Sequence, residues 1–204
     1  MKIAGVLLAG GLSRRMGGGD KTLRTLGGKT ILERVIARSK PQVAALALNA
    51  NGDPVRFAPY GLPVVTDSIG DFAGPLAGVL AGLDWAAETM LDATHVASFA
   101  TDAPFLPVDL VARLAAVVSD GKHDLACAAS GGRAHPVFGL WPLSLRADLR
   151  AALAGGLHKV DLFTGLYRLI TVEFATTPYD PFFNANAPED LAEAERITAL
   201  ADQR

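Results

Sequence analysis

The sequence predicts a three-layer α/β fold in which helices cover both faces of a mostly parallel, mixed central sheet. Short apolar segments of strand length alternate three times with longer segments of helical periodicity, which is the rhythm of β–α–β units. Further along, two apolar segments are separated by a glycine-containing turn, which is typical of an antiparallel hairpin. One mixed sheet accounts for both patterns.

The first half of the chain supplies three strand–helix units. A buried first strand explains the N-terminal apolar residues better than a secretory signal does, because a single lysine, Lys2, precedes them. The helices have a capping residue or a proline at their predicted boundaries. In chain order we predict a strand at 3–8, a loop at 9–20, a helix from Thr30 to Arg38, strands at 43–48 and 63–66, a helix from Gly74 to about Met90, a strand at 95–100 and a helix from Val108 to Val118.

The second half begins with the hairpin. We predict strands at 125–129 and 137–141, a helix from Ser144 to Leu153, a strand near 169–174 and a C-terminal helix from about Pro188. The chain contains no internal repeat or linker, so we expect a single domain over residues 1–204.

Composition excludes several classes of function. A formal net charge of −2 argues against nucleic-acid binding, and no apolar run reaches the roughly 20 residues that cross a membrane. A single cysteine, Cys127, cannot form an internal disulfide and indicates a cytoplasmic protein. The four histidines lack the spacing of a zinc site. We expect a monomer that binds neither nucleic acid nor membrane.

A glycine-rich loop after the first strand is the strongest local sign of a binding site, because unhindered backbone N–H groups suit a phosphate. Neither Gly10-Gly11 nor the glycines at 17–19 give the dinucleotide-binding pattern GxGxxG in register. The P-loop pattern GxxxxGK[ST] also fails, since Leu23 stands where its first glycine belongs before residues 28–30. The two common nucleotide-binding loops are therefore excluded.

Residues 8–21 read LAGGLSRRMGGGDK. This segment resembles the signature LAGGxSxRMGxxK of the NTP-transferase family that contains the molybdenum cofactor guanylyltransferases, the MobA proteins. Asp20 precedes the lysine where related nucleotidyltransferases of sugar phosphates and methylerythritol phosphate typically have proline. The resemblance implies a three-layer Rossmann-like nucleotidyltransferase fold.

Further matches to the same family extend over nearly the whole chain. Two positions depart from the usual pattern, since Lys159 stands where relatives usually have arginine and Thr101 replaces the common cysteine. The matching segments are NAN at 49–51, DSIGDFAGPLAG at 67–78, TDAPFLP at 101–107, HP at 135–136 and NANAPEDL at 184–191.

The resemblance, together with the chemistry of the side chains, assigns roles. Hard carboxylate oxygen suits Mg2+, which usually takes one or two carboxylates plus phosphates and water. Asp102 is therefore the expected metal ligand, and Lys21 and Arg15 are expected to bind the triphosphate. The resemblance places Leu8, Ala9, Gly10, Gly11, Lys21, Asn49, Asp67 and Asp102 at GTP, and His135, Lys159, Asn184 and Asn186 at molybdopterin.

The resemblance also implies the reaction, transfer of GMP from GTP to Mo-molybdopterin. Guanylyl-transferring members usually read LAGG and cytidylyl-transferring members LAAG, so Gly10-Gly11 favours the purine. Three alternatives remain open, namely a cytidylyltransferase, a sugar-phosphate nucleotidyltransferase and a non-catalytic carrier of nucleotide or cofactor. Proteins of molybdenum-cofactor biosynthesis and chaperones are further candidate partners.

Each candidate residue also has an ordinary structural explanation. Asp102 could cap the helix that follows it, and Lys21 could be a solvated surface lysine. Asn49 and Asp67 could be turn formers at strand ends, and His135 a loop histidine with a local partner. The three-dimensional arrangement decides between several of these alternatives.

Overall fold

A computed structural model describes residues 1–9, 21–69, 74–184 and 188–201. Its main feature is a seven-stranded sheet in the order β5-β4-β1-β6-β8-β7-β9, and a separate two-stranded hairpin joins β2 to β3. The strands are β1 (Ile3–Leu8), β2 (Thr25–Leu26), β3 (Lys29–Thr30), β4 (Ala45–Asn49), β5 (Val64–Val65), β6 (His95–Ala100), β7 (Leu125–Ser130), β8 (Arg133–Pro142) and β9 (Leu169–Phe174).

The sheet is mixed because β8 runs against its two neighbours. Strands β5, β4, β1 and β6 are parallel, β8 is antiparallel to β6 and to β7, and β7 is parallel to β9. The predicted hairpin is therefore confirmed as β7–β8, but β8 begins at Arg133 and not at residue 137, so the connection is shorter than predicted. The predicted mostly parallel, mixed sheet is confirmed as well. One edge of the sheet collects the carboxyl ends of six strands and the amino end of β8.

Within the described ranges, six α-helices accompany the sheet. The predicted helix from Val108 begins later, because the proline-containing turn before it leaves Asp109 as the residue that precedes the helix. A short helix, α5, and several 3-10 turns were not predicted. The helices are α1 (Ile31–Ser39), α2 (Pro75–Thr89), α3 (Leu110–Val118), α4 (Arg146–Ala154), α5 (Val160–Thr164) and α6 (Pro188–Ala201).

Helix α1 starts where its sequence predicts. The hydroxyl of Thr30 accepts a hydrogen bond from the Glu33 backbone N–H at 3.1 Å, and the Glu33 carboxylate accepts one from the Thr30 backbone N–H. This reciprocal capping box satisfies two N–H groups that a helix start otherwise leaves without partners. The sequence Gly28-Lys29-Thr30, which resembles the end of a P-loop, is thus the second strand of a hairpin followed by a helix cap.

Two hydrophobic clusters lie on opposite faces of the sheet. Each face therefore needs a layer of helices to cover it, which gives three layers in all. Alternate residues of β1 point to opposite faces, so that Leu7 belongs to one cluster and Val6 to the other. The first cluster is closed by residues of α1, α3 and α6, and the second by residues of α2, α4 and α5. The N-terminal apolar segment is accordingly an interior strand of the sheet, between β4 and β6. Within the described ranges we find no helix of the length and apolarity that a membrane crossing requires.

Candidate active site

The first half of the candidate site is formed by the carboxyl ends of β5, β4, β1 and β6, which lie side by side at the same height in the sheet. Register pairs Leu8 of β1 with Asn49 of β4 on one side and with Ala100 of β6 on the other, while Asn49 pairs with Val65 of β5. Asp67 and Asp102 each follow two residues after the last paired residue of their strand. Three strand spacings of about 4.8 Å separate the two carboxylate-bearing strands, so this row is about 14 Å wide.

Asn49 and Asp67, predicted separately, lie in direct contact. The Asn49 side-chain amide donates to Asp67 Oδ1 at 2.9 Å and to the Val65 carbonyl at 3.2 Å, and only 2% of its surface is exposed. Both N–H groups of that amide are therefore used within the protein. Asn49 is a residue that orients Asp67, and it is not a local turn former.

Asn51 holds the same carboxylate from the other side. Its amide donates to Asp67 Oδ2 at 2.7 Å, and its carbonyl accepts the Asp67 backbone N–H at 3.1 Å. Each oxygen of Asp67 thus accepts one side-chain amide N–H and, as a carboxylate oxygen, retains capacity to accept another hydrogen bond. The sequence placed Asn51 in the family pattern without giving it a role, and the structure supplies one.

Helix α2 packs directly against this pair through a glycine. A Cβ atom added to Gly78 would collide with Asn49 Oδ1 and would lie 2.7 Å from Leu8 Cδ2. The start of α2 therefore packs against the ends of β1 and β4 as tightly as the backbone allows. This explains in steric terms why the GPLAG segment carries glycine at its last position.

Asp102 follows β6 in a turn and does not cap the next helix, which begins only at Leu110 with Asp109 before it. The hydroxyl of the preceding residue, Thr101, donates to the Leu8 carbonyl at 3.0 Å and is almost fully buried. This bond ties the end of β6 to the end of β1, immediately before the glycine-rich loop. Threonine at this position therefore has a structural use of its own.

The glycine-rich loop itself lies mostly outside the described residues. At its start the Ala9 backbone N–H donates to the Asn49 carbonyl at 2.9 Å, which continues the pairing of β1 with β4. At its end a 3-10 turn spans Lys21–Leu23. The predicted residues Gly10, Gly11, Arg15 and Asn186 lie outside the described residues, as do Asp71 and the position of the Lys21 side chain.

His135 lies at the amino end of β8, on the same edge of the sheet. Its Nε2 atom is 2.8 Å from the hydroxyl of Ser130, and that hydroxyl donates to Asp180 Oδ1 at 2.9 Å. The ring also packs on Phe182, with 4.8 Å between ring centroids. Burial lowers the pKa of His135 from its ordinary value, although the nearby Asp180 carboxylate opposes that shift.

Phe182 connects His135 with Asn184. Its ring is 5% exposed and packs against Phe138 and Phe174 as well as His135. Asn184 follows only two residues later, so the packing of Phe182 brings two predicted molybdopterin residues to the same part of the edge.

Lys159 lies on a different segment, near the start of α2. It directly precedes α5, it is exposed, and within the described ranges its ammonium group forms no ion pair. The carbonyl of His158, its neighbour, lies 3.6 Å from where a Cβ of Gly74 would be, next to the start of α2. The cation is therefore available to an anionic ligand.

Sequence reasoning missed Ser130, Asp180 and the orienting role of Asn51. Ser130 and Asp180 are 50 residues apart and belong to common polar types, so no spacing marks them as a pair. Only the parallel pairing of β7 with β9, in which Ser130 is level with Phe174, reveals their proximity.

No group of three or more histidine, cysteine, aspartate or glutamate side chains with metal-binding geometry occurs among the residues with described positions. Structural zinc sites usually take four protein ligands, and calcium sites take six to eight oxygen ligands. Magnesium differs, because it commonly uses one or two protein carboxylates and completes its shell with phosphate and water. The half-buried carboxylate of Asp102 fits that requirement.

The fold is that of the nucleotidyltransferases. A crystal structure of molybdopterin-guanine dinucleotide biosynthesis protein A from Archaeoglobus fulgidus superposes with a TM-score of 0.73 at 22% identity, covering 98% of this chain and 100% of that one. A 2-C-methyl-D-erythritol 4-phosphate cytidylyltransferase from Thermus thermophilus gives a TM-score of 0.67 at 21% identity, with 98% and 100% covered. These likenesses establish the architecture.

The family follows from sequence. The model of the MobA-like NTP transferase domain matches residues 5–168. A molybdenum cofactor guanylyltransferase of Bradyrhizobium sp. (strain ORS 278) is 58% identical over 202 residues, which are 98% of this chain and 95% of that protein. The chain belongs to the MobA-like NTP transferase family and is a nucleotidyltransferase.

Proposed function

We propose that this enzyme transfers GMP from GTP to Mo-molybdopterin, forming Mo-molybdopterin guanine dinucleotide and releasing pyrophosphate. The observation that carries the proposal is the 58% identity, along nearly the whole of both chains, with a protein named molybdenum cofactor guanylyltransferase. The edge of the sheet supports it, because the predicted nucleotide residues Asn49, Asp67 and Asp102 and the predicted acceptor residue His135 lie at the same edge.

The chemical obstacle in this reaction is repulsion between anions. A phosphate oxygen of the acceptor attacks the α-phosphorus of the nucleotide in line, and pyrophosphate leaves. The attacking oxygen is already ionised, so no side chain has to remove a proton from it. The protein must instead position two anions and offset their charge.

Positive charge must come from local groups, since the chain as a whole carries a net charge of −2. We assign Lys21 and Arg15 to the triphosphate and Lys159 to the acceptor side. Backbone N–H groups of the glycine-rich loop add dipoles that need no counter-ion. In this assignment Leu8, Ala9, Gly10 and Gly11 surround the nucleotide.

Asp102 would hold Mg2+, which when bound supplies charge neutralisation and polarisation at the phosphates. The Thr101 hydroxyl, bound to the Leu8 carbonyl, keeps this carboxylate close to the start of the phosphate-binding loop. Asp67, oriented by Asn49 and Asn51, would accept hydrogen bonds from the base or ribose of the nucleotide.

On the acceptor side we assign His135, Lys159, Asn184 and Asn186 to molybdopterin. His135 lies near the amino end of β8 and Asn184 lies in the segment after β9, so these two belong to the half of the sheet formed by β8, β7 and β9. The nucleotide residues belong to the half formed by β5, β4, β1 and β6. We propose that residues 1–204 act as a single domain in which each half binds one substrate.

The experiment combines purified protein with Mg2+, GTP and Mo-molybdopterin and measures dinucleotide and pyrophosphate. Asp102→Asn should abolish turnover, whereas Asp109→Asn, an exposed change in the same segment, should leave it intact. Retained turnover in Asp102→Asn, or no dinucleotide from the wild-type protein, would contradict the proposal.

The same assay separates the alternatives. We expect GTP to exceed CTP in direct competition, on the ground of Gly10-Gly11. Product from hexose 1-phosphates would indicate a sugar-phosphate nucleotidyltransferase, and tight GTP binding without pyrophosphate release would indicate a carrier. We further propose that the enzyme acts as a cytoplasmic monomer and passes its product to other proteins of molybdenum-cofactor biosynthesis or to chaperones.

A further inference from the structure

Three side chains, from the end of β7, the start of β8 and the segment after β9, form a chain of hydrogen bonds around one hydroxyl group. Ser130 Oγ lies 2.8 Å from His135 Nε2 and 2.9 Å from Asp180 Oδ1. Ser130 is 3% exposed, so solvent has little access to this junction. The hydroxyl carries one proton and can donate to only one of its two neighbours.

The position of that proton follows from its neighbours. As a carboxylate, Asp180 can only accept hydrogen bonds, and its Oδ1 also accepts the Phe182 backbone N–H at 3.0 Å. The Ser130 hydroxyl therefore donates to Asp180, as its geometry indicates. To keep its own bond with Ser130, His135 must then donate from Nε2.

A neutral imidazole carries one N–H, so a proton on Nε2 leaves a lone pair on Nδ1. Across the described part of the chain, no donor lies within hydrogen-bonding distance of that atom. The half-buried ring is fixed in orientation by its contact with Phe182, while Nδ1 remains an unused acceptor at the ligand edge of the sheet.

We propose that Ser130 and Asp180 are positioning residues that hold His135 as the neutral Nε2–H tautomer, so that Nδ1 accepts a hydrogen bond from an N–H group of the acceptor's pterin ring. The proposal rests on the proposed function for the identity of the acceptor. A pterin carries ring and amino N–H groups, which can donate a hydrogen bond to the Nδ1 lone pair. A phosphate anion has no N–H group and cannot make this hydrogen bond. His135 would thereby recognise the heterocycle and not the phosphate of the acceptor.

Charged groups around His135 have opposing effects on its titration. Asp180 and Glu173 raise its pKa and Arg133 lowers it, but the largest influence is burial, which lowers it. Neutral imidazole is therefore the form expected at neutral pH. Protonation at Nδ1 removes the lone pair, so acceptor binding should weaken as the pH falls through this pKa.

The first test needs no substrate. Nitrogen-15 NMR of histidine-labelled protein, assigned by loss of one signal in His135→Gln, should show the neutral Nε2–H tautomer of His135. In Asp180→Ala the Ser130 hydroxyl is free to donate to Nε2, so the Nδ1–H tautomer should appear. Asp180→Asn keeps an oxygen that can accept from Ser130 and from Phe182, and it should retain the wild-type tautomer.

Ser130→Ala provides a second variant in case Asp180→Ala does not fold, and it should also admit the Nδ1–H tautomer. Ser119→Ala, which removes an exposed hydroxyl at the end of α3, is the matched control and should change nothing. A wild-type His135 found as the Nδ1–H tautomer would overturn the proposal, and so would variants with unchanged tautomers.

The second test measures binding of a tetrahydropterin and the KM for acceptor. Asp180→Ala should weaken both between about twofold and tenfold, the range of one neutral hydrogen bond, with KM for GTP unchanged. Stronger acceptor binding at low pH would show that the imidazolium binds an anion, and would overturn the proposal. Failure of the proposed function is a different result, because it appears as absent dinucleotide synthesis while the tautomer and the pterin titration remain measurable.

Discussion

Replacing Gly78 by alanine should impair nucleotide binding more than it impairs folding. The new Cβ would collide with Asn49 Oδ1 and lie 2.7 Å from Leu8 Cδ2. Carbon atoms pack at about 3.5–4.0 Å, so α2 must move by about 1 Å or the Asn49 amide must swing away. Because that amide is buried and bound to Val65 and Asp67, its movement releases Asp67.

The magnitude has two opposing parts. Alanine gains about 1 kcal/mol over glycine in a helix interior, and overpacking costs about 1–3 kcal/mol, so the free energy of unfolding should fall by about 0–2 kcal/mol. A misplacement of about 1 Å at a substrate-positioning group can cost on the order of 100-fold in rate. We therefore expect kcat/KM for GTP to fall by about 10- to 100-fold in Gly78→Ala.

A matched control lies one helical turn further along α2. A Cβ on Gly82 would lie 2.7 Å from Val6, a similar overlap that involves no residue of the site. Gly82→Ala should lose comparable stability in urea unfolding and keep kcat/KM for GTP within a few-fold of wild type. Equal catalytic losses in both variants would refute the reasoning, since displacement of the helix and not release of Asp67 would then explain them.

Three further predictions concern stability. Ser98 Oγ accepts a hydrogen bond from Trp141 Nε1–H at 2.8 Å, so Ser98→Ala leaves a buried donor without its acceptor. We expect the free energy of unfolding, measured in urea, to fall by about 1–3 kcal/mol for each such donor. Thr30→Ala removes the cap of α1 and should cost about 1 kcal/mol in the same assay. Arg168 lowers the pKa of Asp124 to about 2, below its unfolded value, so this pair stabilises the fold above about pH 4 and loses that effect as the pH falls towards 2. Asp124→Asn should flatten the dependence of thermal stability on pH in that window.

Each of these has a result that would contradict it. Unfolding of Ser98→Ala at the same urea concentration as Ser119→Ala would mean that the Trp141 N–H finds another partner. An unchanged midpoint in Thr30→Ala would mean that Glu33 alone satisfies the start of α1. Acid unfolding curves of equal slope for the wild-type protein and Asp124→Asn would show that the pair of Asp124 with Arg168 does not contribute to stability in this pH range.

Much of the fold could be predicted because its central elements are locally consistent. Strands β1, β6 and β9 have the predicted bounds, since each is a compact run of apolar or β-branched residues followed by turn formers. Helix α1 was predictable from Thr30, its capping residue. The two-residue strands β2 and β3 and the five-residue helix α5 are too short to have a periodicity of their own.

The candidate site could be predicted only as a set of strand ends. Asn49, Asp67 and Asp102 follow parallel strands, so topology alone brings them to one edge. Their mutual contacts could not be predicted, because the choice between a turn former and a partner of Asp67 depends on side-chain geometry. Ser130 and Asp180 gave no signal at all, since hydroxyl and carboxyl groups of their kind are common in loops.

The backbone pairing between β6 and the reversed strand β8 does not extend to the edge of the sheet where the two substrates are proposed to meet. Strand β8 pairs with β6 only over His95–Ala97, away from the edge that carries the candidate site. Beyond Ala97, the Ser98 hydroxyl donates a hydrogen bond to the Val137 carbonyl at 2.6 Å, where backbone hydrogen bonds would otherwise join the strands. Strands β5, β4, β1 and β6 thus form a regular parallel sheet, whereas β8 is joined to β6 by backbone pairing over His95–Ala97 and, nearer the candidate site, by the Ser98 side chain. We expect the hairpin at 130–138 to tolerate remodelling for a different acceptor while the register of β5, β4, β1 and β6 stays untouched.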